Sequence, residues 1–173
     1  VIWDRKVFAC AIVFLPAWEL NAASSVATSL NHSSTIHTNI RTGTVMSLAG
    51  TATGRLFAAY LPAKLIEESL LEDERRLGPD IAASIDRDEL QTVVSEIRKH
   101  GTSRTINNPT PGVSSFAAPV FDYSGNIVLG ITLMGRTRSF DTDWEGKEAA
   151  AAKACSEEVS RRLGHHRASV LFR

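Results

Sequence analysis

Two adjacent runs between Gly112 and Gly135, GVSSFAAPVFD and NIVLGITLMG, alternate small or hydroxylated residues with apolar ones. A period of two belongs to strands, and Tyr123-Ser-Gly-Asn126 between the runs is a turn signal. The segment is therefore predicted to be a β-hairpin. On its first strand Val113, Ser115, Ala117, Pro119 and Phe121 share one face; Ser114, Phe116, Ala118 and Val120 share the other. On the second, Ile127, Leu129, Ile131 and Leu133 form an apolar face opposite Val128, Gly130, Thr132 and Met134. The apolar face needs helices packed on it. Ser115, Gly130 and Thr132 are too small to fill space, so their face either borders a cavity with hydroxyl donors or lies under a tightly packed helix. Strand register, and hence which serine joins Thr132, stays open.

Around this hairpin the pattern is mixed. Residues 7–15 read as a buried strand interrupted by Pro16, with further strands expected over 26–29 and 35–40. Thr51 or Thr53 can cap a helix carrying Leu56, Phe57 and Tyr60 on one side. Pro62 suits the first turn of a short helix with Leu65, Ile66, Leu70 and Leu71. Residues 72–84 are charged, contain Gly78-Pro79 and read as an irregular connection. Asp86 and Glu89 form a capping-box pattern ahead of an amphipathic stripe, Leu90, Val93, Val94 and Ile97, closed by Gly101. A short strand over 102–106, a loop over 107–111, the hairpin, and a last helix over 143–163 follow. Asp141 and Asp143 are expected to cap that helix and Trp144 to lie on it. The order implies an α+β fold with a mainly antiparallel sheet.

Bulk properties narrow the function. The chain has 173 residues, 43% hydrophobic and 22% charged. That suits one domain, expected to span residues 1–173, whose core closes without disulfide or metal. Nineteen basic residues balance nineteen acidic ones, so the basic excess of a nucleic-acid-binding domain is missing. Cys10 and Cys155 lie far apart and read as reduced thiols of a cytoplasmic protein. The apolar run 7–15 is too short to span a bilayer. Val1 is not an initiator, so the chain is read as a fragment, with residues 1–6 a remnant of an interdomain linker.

Few residues suggest chemistry. At Thr51-Ala-Thr-Gly54 the free amides of a helix start, at the positive end of its dipole, can hold a carboxylate, and Gly54 permits close approach; a capped helix packed on a sheet explains the same string. It is neither a Walker loop nor a dinucleotide fingerprint. His32 and His37 have no carboxylate or cysteine to complete a metal site, and no cofactor is expected. His165-His166-Arg167 with Arg161 and Arg162 read as a solvated helix end.

Asn39-Ile-Arg-Thr-Gly-Thr-Val-Met-Ser-Leu48, Thr51-Ala-Thr-Gly-Arg-Leu-Phe-Ala-Ala-Tyr-Leu-Pro62, Gly112-Val-Ser-Ser-Phe-Ala-Ala-Pro-Val-Phe-Asp122, Ile131-Thr-Leu-Met-Gly135 and Ser160-Arg-Arg-Leu-Gly164 occur in that order. Together they resemble the effector-binding domain of IclR-type transcriptional regulators. The resemblance implies a GAF/profilin-like curved antiparallel sheet with helices on both faces. It also implies a small-molecule effector, a carboxylate or aromatic acid, held between the sheet and the Thr51 helix. Carried over by position, Ala52, Thr53 and Gly54 would offer backbone donors, and Ser115, Thr132 and Met134 would line the pocket, with Met46, Asn108 and Ser114 as weaker candidates. The family's winged helix-turn-helix is absent from this chain, so DNA would be reached only through that missing domain, and the sensor is expected to form a homodimer or homotetramer.

Residues 1–34 depart from the family's first hairpin, which puts one wall of the pocket in doubt. Pocket strands carry Ser115 and Pro119 where relatives that bind small keto acids have cysteines, which favours a larger acid. Two other readings compete. A GAF-like interaction module would bind no ligand, and its interior under the Thr51 helix would be closed and apolar. A serine-dependent hydrolase would use Ser114, Ser115 or Thr132 and would need a base in reach. The reading adopted is a sensor and not an enzyme.

Overall fold

A computed structural model of the chain describes residues 9–14, 24–30, 47–77 and 86–166; the strand expected over 35–40, Met46, His32 and His37 lie outside them. Five strands form one antiparallel sheet in the order β2-β1-β5-β4-β3. They are β1 (Ala9–Phe14), β2 (Ser24–Leu30), β3 (Ser103–Ile106), β4 (Val113–Phe121) and β5 (Ile127–Arg136). Four helices accompany them: α1 (Ala52–Tyr60), α2 (Ala63–Leu77), α3 (Arg87–His100) and α4 (Lys147–Arg162). Helices α1 and α3 cover one face of the sheet and α4 the other. This is the expected α+β architecture, with helices on both faces.

The hairpin register separates the two cores. Ser115 pairs with Met134, Ala117 with Thr132 and Pro119 with Gly130. Beyond Val120–Leu129 the register slips, so that Phe121 pairs with Ile127 and Val128 is left over as a bulge. The slip moves Ile127 to the α1 face, where it packs with Leu56, Phe57 and Ala117. Leu129, Ile131 and Leu133 stay on the α4 face, among Phe116, Val120, Ala149 and Val159. The continuous apolar face expected from alternation thus loses its first member, because one extra residue inverts the strand's parity. β4 also runs past β3, whose pairing extends only to Ala117. Pro119 lies on that bare stretch, where a missing N–H costs no ladder bond.

α1 is the deepest helix. Thr51, in extended conformation, accepts the Gly54 amide on its hydroxyl at 2.9 Å, a cap of the usual Thr kind. All of Ala52–Ala59 but Arg55 is buried, and Leu56 and Phe57 are fully so; each such side chain contributes about 1.5–3 kcal/mol. A Cβ on Gly54 would lie 2.2 Å from the Ser47 carbonyl oxygen and 2.5 Å from that of Leu48. Gly54 is therefore required by the backbone folded against it. The turn holding those carbonyls is fixed from outside, since the Leu48 amide donates to Asp73 Oδ2 on α2 at 2.6 Å. Asp73 Oδ1 meets Arg76 at 2.9 Å.

Three expectations need correction. α2 is not short: it continues through 72–77, where a loop was expected, because Glu72–Arg75 and Asp73–Arg76 pair at i,i+3 along a helix face. α4 begins at Lys147 rather than 143, behind Gly146, which makes no side-chain cap. Asp141 and Asp143 instead accept the amides of Asp143 and Glu145, turning the chain so that Trp144 stacks on His100 at 4.5 Å and receives Arg104 at 4.2 Å. In the expected capping box Asp86 does accept the Asp88 and Glu89 amides, but the Glu89 carboxylate reaches Arg55 of α1.

Gly54→Ala is expected to lower stability by about 2–3 kcal/mol, since a rigid backbone must move. Asp73→Ala, which strands a buried amide, should cost about 1–3 kcal/mol. Urea unfolding followed by circular dichroism measures both.

Candidate functional site

The face of the sheet beneath α1 is floored by hydroxyls in two cross-strand rows. Ser103, Ala117 and Thr132 lie side by side in one; Thr105, Ser115 and Met134 form the other. Antiparallel partners project to the same face, and Ala117 packing into the α1 core identifies which one. Thr105 Oγ1 and Ser115 Oγ are 2.8 Å apart. Thr132 Oγ1 lies 2.8 Å from Thr53 Oγ1, which joins β5 to the first turn of α1. Ser103 Oγ is buried with no hydrogen-bond partner, a state that costs free energy unless water or a ligand meets it.

The candidate residues divide on this geometry. Thr53, Ser115, Thr132 and Met134 converge on the floor and the start of α1. Of the three proposed backbone donors, the Gly54 amide is already taken by the Thr51 hydroxyl. Those of Ala52 and Thr53 donate to no acceptor among the described residues, as expected for the first turn of a helix. Ser114 faces away: it is buried on the opposite side of β4 and bonds Thr137 Oγ1 at 2.8 Å. Asn108 is exposed in the β3–β4 loop, next to a cis peptide bond to Pro109. Its neighbour Asn107 does the bracing, accepting from the Gly112 amide and the Thr137 hydroxyl. Met46 lies outside the described residues.

Gly130 belongs to packing, because a Cβ there would stand 3.2 Å from Leu56 Cδ2. Ser103 and Thr105 were not singled out from the sequence, although their two-residue spacing on a predicted strand was the available signal.

The hydroxyls of Ser114, Ser115 and Thr132 bond to other hydroxyls, and no described histidine is hydrogen-bonded to them. Among the described residues no group of His, Cys, Asp or Glu is placed to hold a metal ion, and no helix is long and apolar enough to cross a membrane. Cys155 packs against the Val120–Ile131 cluster, and burial pushes its thiol above the usual range. Burial likewise raises the Tyr60 phenol, with Arg98 partly opposing. Hydrogen bonds from Arg161 and Arg162 hold the exposed Glu158 carboxyl down at about 2.

Residues 17–161 match the family described as bacterial transcriptional regulator IclR C-terminal. The chain belongs to that family. Among curated proteins, the chain is 24% identical over 144 residues to RhmR of Escherichia coli K12, an uncharacterized HTH-type transcriptional regulator, covering 83% of this chain and 55% of RhmR. Its fold is similar to that of Pseudomonas aeruginosa HmgR, with a TM-score of 0.76 and 26% identity over 94% of this chain and 61% of HmgR. The Thermotoga maritima IclR structure gives the same TM-score at 23% identity, over 93% of this chain and 63% of that one. The chain thus spans about half the length of that curated relative. The family is one of transcriptional regulators, and this chain corresponds to its effector-binding domain.

If the Thr53–Thr132 bond holds α1 to the sheet, Thr53→Val and Thr132→Val should each cost about 1–2 kcal/mol by orphaning the other hydroxyl. The double variant should then recover most of one loss. A double-mutant cycle in urea measures the coupling.

Proposed function

We propose that the chain is the ligand-sensing and self-associating part of an IclR-type regulator, and that its effector is a small carboxylate, aromatic or otherwise larger than the simplest keto acids. The carboxylate sits at the start of α1 on the Ala52 and Thr53 amides. The body of the ligand lies over Ser115, Met134 and the Thr105 hydroxyl. The observation that carries this reading is the convergence of a floor of hydroxyls with two helix-start amides that have no acceptor among the described residues. A merely space-filling interface would have placed apolar side chains there, as the α4 face does.

Binding acts on DNA through a separate DNA-reading domain. Effector contacts differ between two arrangements of a dimer or tetramer, and the difference in affinity sets how far the equilibrium shifts. The chain works in the cytoplasm, where its DNA target lies. A module without ligand is the second reading, favoured by the Thr53–Thr132 bond, which closes part of the interface without any guest.

A thermal-shift screen of small carboxylates, followed by calorimetry, tests the site. Thr51 is extended, at φ −122° and ψ 152°, which suits a residue before proline, and proline is accepted at the first helical position. Ala52→Pro therefore deletes one donor while keeping the helix, and should weaken a bound carboxylate about 10-fold or more. Ser115→Leu should do the same by filling the floor. A tight carboxylate whose affinity neither change alters, with folding intact, would place the site elsewhere.

A further inference from the structure

A cleft of about 640 Å³ opens at the C-terminal end of α1, where β4 runs past β3 and α4 passes above it. Its volume falls within the range of small-molecule sites, and none of Thr53, Ser115, Thr132 or Met134 lines it. One wall is aromatic. Tyr60 meets Phe121 edge-on, with centroids 5.3 Å apart and planes at 73°, and His165 leans on Phe121 from the α4 end at 5.3 Å. The His165 ring is fixed by its Nδ1 contact to the Asp122 carbonyl at 3.1 Å.

Charged side chains line the same cleft. Lys153 projects from α4 into the lining and has no carboxylate partner among the described residues. Arg161, also in the lining, is already matched by two contacts to Glu158. One carboxylate, Glu157, lines the cleft and has a partner of its own. Rings and an ammonium without a carboxylate partner among the described residues, in one cleft, suit a flat ligand with one negative end, since aromatic faces stack and such a lysine gains from a desolvated anion.

We propose that this cleft is a second ligand site, for a planar aromatic carboxylate whose ring lies against Phe121 and Tyr60 and whose carboxylate meets Lys153. The site is separate from the one at the start of α1: the two lie at opposite ends of that helix and on different residues of β4.

Two-dimensional amide NMR of the 173-residue chain, titrated with benzoate and with cyclohexanecarboxylate, tests it. Benzoate should give saturable shifts at Gly101, Phe121 and Ser156, about 3-fold tighter than the saturated ring. Lys153→Gln should weaken benzoate at those amides about 5-fold or more. Ser115→Leu, which blocks the other site, should leave them unchanged. The proposal is overturned if shifts stay confined to Thr53, Ser115 and Met134, or fail to saturate by about 20 mM. It is equally overturned if Lys153→Gln changes nothing or both acids bind alike.

Discussion

The Gly54 backbone lies so close to the carbonyls of Ser47 and Leu48 that no side chain fits between them. On the sheet below, Gly130 gives Leu56 similar room. These two close approaches let α1 descend onto the centre of the sheet, and the other features of that face follow. The helix start is brought within a hydroxyl contact of β5. Its first two amides have no acceptor among the described residues, and a row of small residues lies beneath it. Asp73 matters because it holds the turn that makes the first approach possible.

The two faces of the sheet accordingly do different work. Under α4, Phe116, Leu129, Ile131 and Leu133 interlock with alanines in an apolar layer, which fixes the hairpin rigidly. Under α1 these two strands and β3 present Ser103, Thr105, Ser115 and Thr132, of which Thr105 bonds Ser115 and Thr132 bonds Thr53. A rigid backing behind an adaptable polar face suits a site that must hold its shape while guests change. Membership of the IclR C-terminal family is in keeping with the polar face as the proposed site.

Much of this was legible from local chemistry. The hairpin, the Thr51 cap, the Asp86 cap and the Gly101 stop each depend on residues a few positions apart, and periodicity reports such things well. What alternation could not show was the bulge at Val128, because an unpaired residue is visible only once the partner strand is in place. The reach of α2 was hidden by the charge of residues 72–77, which reads as loop until the i,i+3 pairs are seen on one helix face. The start of α4 was misplaced because aspartates that make tight turns have the same composition as aspartates that cap helices. Within the site, the roles of Ser115 and Thr132 were open until register paired Ala117 with Thr132 and gave Thr53 as the hydroxyl above it. At Gly54 the sequence left open whether a ligand or a neighbouring backbone comes close, and the carbonyls of Ser47 and Leu48 are what lies there.

Pro119 has no N–H to give, and the Phe121 amide is already donated to Ser160 Oγ at 3.0 Å. A neighbouring molecule that tried to extend the sheet along this bare margin would find two of its hydrogen bonds refused. The margin is thus closed to growth strand by strand, which is how edges are kept from seeding aggregates. Copies of the domain that assemble must then use surfaces other than this stretch of β4.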